Sequence, residues 1–235
     1  MMGVCMKRAI QILGLNIDNY SLREELGFVQ NAFADHRFRY ILTVSMQTLL
    51  LTGTNPAVKD CVEQADLIVV DDVEILKQAK IYSNQRNREI EEQLFMKEFM
   101  KRMVRSERKL FLVAQTDRDV EKLKKFLSEK YEKLQIIGQY SIEACSGDLD
   151  HLINEINSAS IDVVISVLPS PVKEEFLNDA KNKIDAKIWY SIGENYALQQ
   201  EQMSLGMRIR YWFHKRWFKL HVNNYQETNN NEKHK

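Results

Sequence analysis

The sequence has little glycine, proline or cysteine: 8, 3 and 3 residues among 235. Cys5, Cys61 and Cys145 stand far apart and form no C-x-x-C pair, which excludes a disulfide framework and a cysteine zinc site. No histidine stands at ligand spacing from them or from a carboxylate, so we predict neither a metal nor a cofactor. The sequence also contains no P-loop and no Ser-His-Asp constellation, and so few glycines disfavour loops that wrap phosphates closely.

Net charge and long apolar runs are also missing. Lys and Arg number 33, as do Asp and Glu, so no overall positive field points to nucleic acid. No apolar stretch reaches the roughly 18 to 20 residues that span a bilayer, and any membrane contact is predicted to be peripheral. Lys7 and Arg8 interrupt the first apolar run, which is unlike a signal peptide. We therefore expect a cytoplasmic protein that lies peripherally on the inner face of the cell membrane.

Hydrophobic residues make up 44% of the chain, and their runs alternate with helical patterns about six times. The strand-like runs are residues 10–15, 39–44, 66–71, 109–114, 134–138, 161–168 and 186–192. This alternation predicts an α/β fold with a mostly parallel sheet and helices on both faces, followed by a C-terminal helical basic appendage. We expect the α/β domain to cover residues 1–200, the appendage 201–222, and a disordered polar tail 223–235.

Two helix starts carry local signals. Ser21 stands three residues before Glu24, which predicts a capping box. Pro56, after Asn55, suits the first turn of another helix.

Five segments in this order resemble the WecG/TagA/CpsF glycosyltransferase family over about residues 11 to 195. They are residues 12–18 (ILGLNID), 42–47 (LTVSMQ), 65–74 (ADLIVVDDVE), Arg88 seven residues before Phe95, and 168–174 (LPSPVKE). The resemblance implies transfer of an N-acetylmannosamine or similar sugar from a UDP donor to a lipid-linked acceptor during synthesis of cell-surface polysaccharide or teichoic acid. It leaves the oligomeric state open.

The chain departs from the family pattern at several positions. Where the family has an asparagine and a glutamate after the second strand, this chain has Ser45 and Gln47. Two family glycines are the acids Asp72 and Glu74. A glycine and an aspartate of the arginine motif are Glu91 and Gln93, and a glycine and a glutamine of the last motif are Pro169 and Lys173. The acids at 72 and 74 would repel a nearby diphosphate unless they point away. Three interpretations stay open: a divergent transferase, a catalytically degenerate relative that acts as a binding or assembly partner, and an unrelated nucleotide binder.

The resemblance implies that Asp71 is the base that takes the proton of the acceptor hydroxyl. A charge on Asp72 would raise the pKa of Asp71, although both acids suit the N-terminus of the following helix equally well. Thr43 and Ser45 would contact the sugar or the donor, unless Thr43 is only a strand residue. Arg88 would bind the diphosphate, unless it belongs to a solvated face.

Lys173 and Glu174 complete the predicted substrate site. Lys173 would contact phosphate, and the alternative is a surface charge cluster with its acidic neighbours.

The C-terminal segment combines cations with aromatics, and no acid occurs from Gln202 to Gln226. On a helix, one side would carry Ile209, Trp212, Phe213, Arg216, Trp217 and Leu220. This combination suits an anionic membrane surface, with contacts predicted from Arg208, Arg210, Lys215, Arg216, Trp212 and Trp217. The resemblance makes Arg208, Arg210 and Arg216 candidates to reach the active site. Packing of the aromatics on the domain and stacking on nucleic acid are the alternatives, and we predict no nucleic-acid partner.

Overall fold

The computed structural model describes residues 9–35, 37–144, 149–193, 196 and 205–233, with side chains of the last helix described from 211 to 227. Cys5, Cys145, Arg208 and Arg210 therefore lie outside the described side chains.

A six-stranded parallel sheet forms the centre of the molecule. Its strands are β3 (Arg39–Val44), β4 (Leu67–Val70), β5 (Lys109–Ala114), β6 (Gln135–Ser141), β7 (Val163–Val167) and β8 (Ile188–Ser191). Their order is β4-β3-β8-β7-β5-β6, and every neighbouring pair is parallel. The predicted fold class is confirmed.

The helices cover both faces of this sheet. They are α1 (Leu22–Ala34), α2 (Met46–Leu51), α3 (Pro56–Gln64), α4 (Val73–Gln78), α5 (Asn84–Glu91), α6 (Leu94–Arg105), α7 (Asp117–Lys130), α8 (Asp150–Ser158), α9 (Val172–Ala180) and α10 (Leu205–Lys233). One buried core lies under α1, α6 and α7, and the other under α2, α3, α4, α8, α9 and α10. Alternate residues of each strand enter the two cores: Ile41 faces the first and Leu42 the second.

The predicted helix starts are confirmed. Ser21 accepts a hydrogen bond from the Glu24 amide, while the Glu24 carboxylate accepts one from the Ser21 amide. Pro56 occupies the first turn of α3, where Asn55 is the N-cap.

The first apolar run is not a strand of the main sheet. It folds into a separate antiparallel hairpin, β1 (Ala9–Ile12) and β2 (Leu15–Asp18). Leu13 and Gly14 both have positive φ, 50° and 78°, which a tight two-residue hairpin turn requires. The hairpin packs beside edge strand β4, where the Asp18 carboxylate accepts a hydrogen bond from the Ile68 amide at 2.9 Å.

The segment from residue 223, which we expected to be a disordered tail, continues α10 as far as Lys233. No glycine or proline interrupts residues 207–233, so nothing in the backbone stops the helix. Packing supports its second half because Val222 is buried and the Tyr225 hydroxyl lies against Gly14. Disorder was predicted from polar composition, which takes no account of these contacts.

Candidate functional site

A small cavity lies where β3, β4 and β8 end. Thr43 comes from the end of β3, Asp71 directly follows β4, and Gly193 lies just beyond β8. The carboxyl ends of parallel strands meet at one edge of a sheet, which is where ligands bind in such folds. The cavity has a volume of about 40 Å³, room for water or one small substituent of a sugar.

Asp71 is held at this edge in a close fit. A Cβ added at Gly193 would lie 2.6 Å from Asp71 Oδ2 and 3.5 Å from Thr43 Cγ2, so the absent side chain makes room for the carboxylate. Burial raises the pKa of Asp71 to about 6, the charge of Asp72 adds to the rise, and Lys173 opposes it. A carboxylate with this pKa can accept a proton near neutral pH.

Asp72 has a different role from its neighbour. Its carboxylate accepts a hydrogen bond from the Glu74 amide at 2.7 Å, which makes Asp72 the N-cap of α4. The Tyr211 hydroxyl donates to the same carboxylate at 3.1 Å. Burial raises the pKa of Asp72 above its ordinary value although these hydrogen bonds oppose the rise. The capping interpretation therefore applies to Asp72, while Asp71 lines the cavity.

The far wall of the cavity is a buried ion-pair cluster that was not predicted from the sequence. Arg86 Nη1 lies 2.6 Å from Glu89 Oε2, and Arg86 Nη2 lies 3.3 Å from Glu25 Oε1. Burial raises the pKa of Glu25 to about 7, against the opposing charge of Arg86. One signal was available: Arg86, Glu89 and Ile90 follow helical i, i+3, i+4 spacing, and α5 buries this face.

Arg88, the predicted diphosphate ligand, lies outside the cavity. Its side chain is 74% exposed and pairs with Glu92 at 2.7 Å on the surface of α5. Ser45 is likewise not at the cavity: it is the N-cap of α2 and accepts a hydrogen bond from the Thr48 amide at 3.2 Å.

Lys173 and Glu174 are buried rather than clustered on the surface. Lys173 Nζ lies 3.5 Å from Glu174 Oε1, and the Ser170 hydroxyl donates to that same oxygen at 2.8 Å. Burial raises the pKa of Glu174, and Lys173 opposes this rise. Lys173 does not line the cavity, but its charge acts on Asp71 and lowers the pKa of that carboxyl.

Helix α10 divides its residues between two sides. The side that faces the domain carries Tyr211, Lys215, Phe218 and Val222, and the last two of these are buried. The other side carries four apolar side chains that are each more than half exposed: Trp212, Phe213, Trp217 and Leu220. The Arg216 guanidinium lies 5.7 Å from the Trp212 ring centroid. The alternative that the aromatics pack on the domain therefore holds for the first side only.

The charge of Glu74 is compensated by two lysines of α10. Its carboxylate is buried, with Lys215 Nζ at 2.8 Å and Lys219 Nζ at 3.4 Å. Burial would raise the pKa of Glu74, but hydrogen bonds from Lys215 and Gln78 hold it below its ordinary value. Asp72 thus serves as the N-cap of α4 and accepts the Tyr211 hydrogen bond, while Glu74 is paired with two lysines of α10.

Two further observations apply to the described part of the chain. It contains no group of three or more His, Cys, Asp or Glu side chains arranged to hold a metal ion. Its helices include none with the length and apolar character needed to cross a bilayer.

Comparison with known proteins gives one result that bears on this site. A search of curated proteins returned no match. The sequence model of the glycosyl transferase WecG/TagA/CpsF family, however, matches residues 10–199. This range runs from the hairpin to beyond β8 and includes Thr43, Asp71 and Gly193. The match covers most of the chain and confirms the resemblance found in the sequence. The chain therefore belongs to the WecG/TagA/CpsF family of glycosyltransferases, which supports a sugar-transfer role in cell-surface polysaccharide synthesis.

Proposed function

We propose that the protein transfers an N-acetylhexosamine, N-acetylmannosamine-like, or a related sugar from a UDP donor to a lipid-linked acceptor in polysaccharide or teichoic acid synthesis. The observation that carries this proposal is Asp71, a half-buried carboxylate that lines the cavity at the end of β4 and whose pKa is raised to about 6. The acceptor oxygen attacks the anomeric carbon, the bond to UDP breaks, and Asp71 takes the hydroxyl proton. Thr43, on the neighbouring strand, lines the same cavity, and we propose that it contacts the same substrate.

The charge of the cavity indicates which part of the donor it accepts. Arg86 is already paired with two carboxylates, so this wall offers a diphosphate no net positive charge. We therefore place the sugar end of the donor at the cavity and the diphosphate outside it. Arg208 and Arg210, near the start of α10, are the cations we propose for the leaving group. Lys173 is buried and paired with Glu174, and Arg216 lies beside the exposed Trp212, so we do not assign the diphosphate to either.

A degenerate relative that binds or assembles without catalysis is the second candidate. Two observations favour it: Arg88 pairs with Glu92 on the surface, and Ser45 is committed to a helix cap. Calorimetry with UDP, followed by UDP release in the presence of a lipid-linked acceptor, separates the candidates. Binding with release supports the transferase, binding without release supports the degenerate relative, and absence of UDP binding contradicts the UDP-donor proposal.

We also propose that the exposed side of α10 binds an anionic membrane surface and holds the protein on the inner face of the cell membrane. Aromatic rings beside a cation suit the headgroup region. Lys215 and Lys219 are paired with Glu74, so this contact rests on Trp212, Trp217 and Arg216 more than on the lysines.

Replacing Trp212 and Trp217 together with alanine should weaken binding to anionic vesicles. The side chains are 53% and 56% exposed, so their loss leaves the core intact. Loss of their insertion should cost about 2 to 3 kcal/mol, which corresponds to roughly 30- to 150-fold weaker vesicle binding in co-sedimentation.

The control for the tryptophan pair is Tyr82→Ala, which removes an 81% exposed aromatic from another part of the surface. Undiminished vesicle binding by the double variant would contradict the membrane proposal. Point variants are preferable to deletion of residues 202–235, because deletion would uncover the core around Phe218 and Val222.

A further inference from the structure

The domain side of α10 is tied to the residues that immediately follow the proposed base. Tyr211 donates a hydrogen bond to Asp72 at 3.1 Å, and one turn later Lys215 contacts Glu74 at 2.8 Å. A further turn places Lys219 against the other oxygen of Glu74 at 3.4 Å. Three side chains of one helix thus contact two acids that lie one and three residues after Asp71.

These contacts are more than surface pairing. Glu74 is 2% exposed, and a buried carboxylate is costly unless cations and hydrogen bonds compensate it. Among the described residues, Lys215 and Lys219 are its ion-pair partners, and Gln78 adds a hydrogen bond at 2.7 Å. Phe218, fully buried on the same side of α10, fixes the helix at this position.

We propose that α10 is a positioning element for the Asp71 base: Tyr211 orients Asp72, and Lys215 and Lys219 hold Glu74, so that docking of the helix fixes the turn after β4. This inference rests on the proposed function of Asp71. It gives a role to two acids that stand where the resembled family pattern has glycine.

The hydrogen bond between Tyr211 and Asp72 should affect the pKa of Asp71. Tyr211 stabilises the ionised form of Asp72, and the Asp72 charge raises the pKa of Asp71. The other charged or titratable groups of the cavity and around Asp71 are Lys173 on α9, Glu25 on α1, Arg86 and Glu89 on α5, Tyr190 on β8 and Tyr196 beyond it. Tyr211 also lies near Asp71, but burial raises the pKa of its hydroxyl, which stays neutral while Asp71 titrates. None of the cavity groups contacts α10 through a described hydrogen bond or ion pair, so loss of the Tyr211 hydroxyl should reach Asp71 through Asp72.

Tyr211→Phe tests this coupling without requiring turnover. Loss of the hydroxyl leaves Asp72 protonated more often, which weakens the repulsion on Asp71 and lowers its pKa below about 6. Asp72→Asn should lower the pKa of Asp71 the most, because asparagine keeps the N-cap and removes the charge. We expect Asp71, followed by NMR of its carboxyl carbon, to titrate lower in both variants, and lowest in Asp72→Asn.

The matched control is Tyr82→Phe, which removes a hydroxyl from an exposed tyrosine and should leave the Asp71 titration unchanged. An unchanged Asp71 titration in Tyr211→Phe would overturn the coupling.

Glu74→Gln tests the ionic half of the proposal. The neutral amide keeps the shape of the side chain but loses the attraction of two lysines, so α10 should exchange its amide hydrogens faster. We also expect kcat to fall while KM for the donor stays constant, since the change displaces the base rather than the donor site. Glu129→Gln on α7, which removes an exposed partner of Lys125, is the control.

Two results would overturn the positioning role. One is faster exchange in α10 with kcat and the Asp71 titration unchanged, which would make the helix contacts purely structural. The other is unchanged exchange in α10, which would mean that Glu74 does not hold the helix. If the wild-type protein releases no UDP yet Asp71 still responds to Tyr211→Phe, the proposed function fails and the coupling stands.

Discussion

Asp71→Asn should lower kcat by roughly 10²- to 10⁴-fold, the usual contribution of a positioned general base. Asparagine fills the same space against Gly193 but cannot take the proton of the acceptor hydroxyl. KM for the UDP-sugar should change little, because the carboxylate is proposed to act on the acceptor. The measurement is UDP release at saturating donor, with Asp60→Asn, an exposed acid on α3, as the control.

The same substitution should stabilise the folded protein at alkaline pH. Asp71 titrates at about 6 when folded and near its ordinary value of 3.8 when unfolded, so the folded state binds more protons between these values. Its stability therefore falls as pH rises from about 4 to about 6 and stays lower above that range. Asparagine removes this penalty, which is roughly 1 to 3 kcal/mol.

The stability gain should appear in urea unfolding at pH 8 and disappear below about pH 4. Lost activity combined with gained stability is typical of a functional group held in an unfavourable environment. Intact turnover in Asp71→Asn would show that the base is another residue.

Gly193→Ala should have the second largest effect, a loss of roughly 100-fold in kcat. The added methyl would lie 2.6 Å from Asp71 Oδ2, a separation that forces the carboxylate to move. Displacement of a reacting group by about 1 Å can cost about two orders of magnitude in rate. The change acts on the position of Asp71 while its chemical identity is kept, so it separates geometry from acid–base character.

The matched control for this variant is Gly27→Ala on α1, where an added Cβ meets no atom within 4 Å. There we expect unchanged kcat and a stabilisation of up to about 1 kcal/mol, because alanine is the better helix former. Full activity in Gly193→Ala would contradict the proposal that Asp71 works in the position seen here.

Much of the fold follows from local pattern. The alternation of apolar runs and helical segments predicted the parallel sheet with helices on both faces, because a strand buried on both sides has a near-continuous apolar sequence. Ser21, Glu24 and Pro56 marked two helix starts correctly, since capping depends on residues within one turn. The hairpin at the N-terminus was missed because strand propensity does not reveal which sheet a strand joins.

The site shows the same division. Thr43 and Asp71 could be brought together from sequence, because the ends of parallel strands share one edge of the sheet. Helical spacing groups Arg86 with Glu89 and Ile90 on one face of α5, but it does not show that this face, rather than the face with Arg88, is turned toward the cavity. The separate roles of Asp71 and Asp72 likewise depend on which carboxylate lies at the start of α4.

The sequence by itself determined that glycine is scarce, that acids stand at positions 72 and 74, and that an acid-free aromatic segment follows the family region. Only the tertiary structure decided what those features do. Lys215 and Lys219 approach Glu74, and Tyr211 approaches Asp72, from well over a hundred positions away in the chain. No local pattern encodes such contacts, because packing of α10 against α2 and α4 sets which side of the helix meets the acids and which side meets solvent.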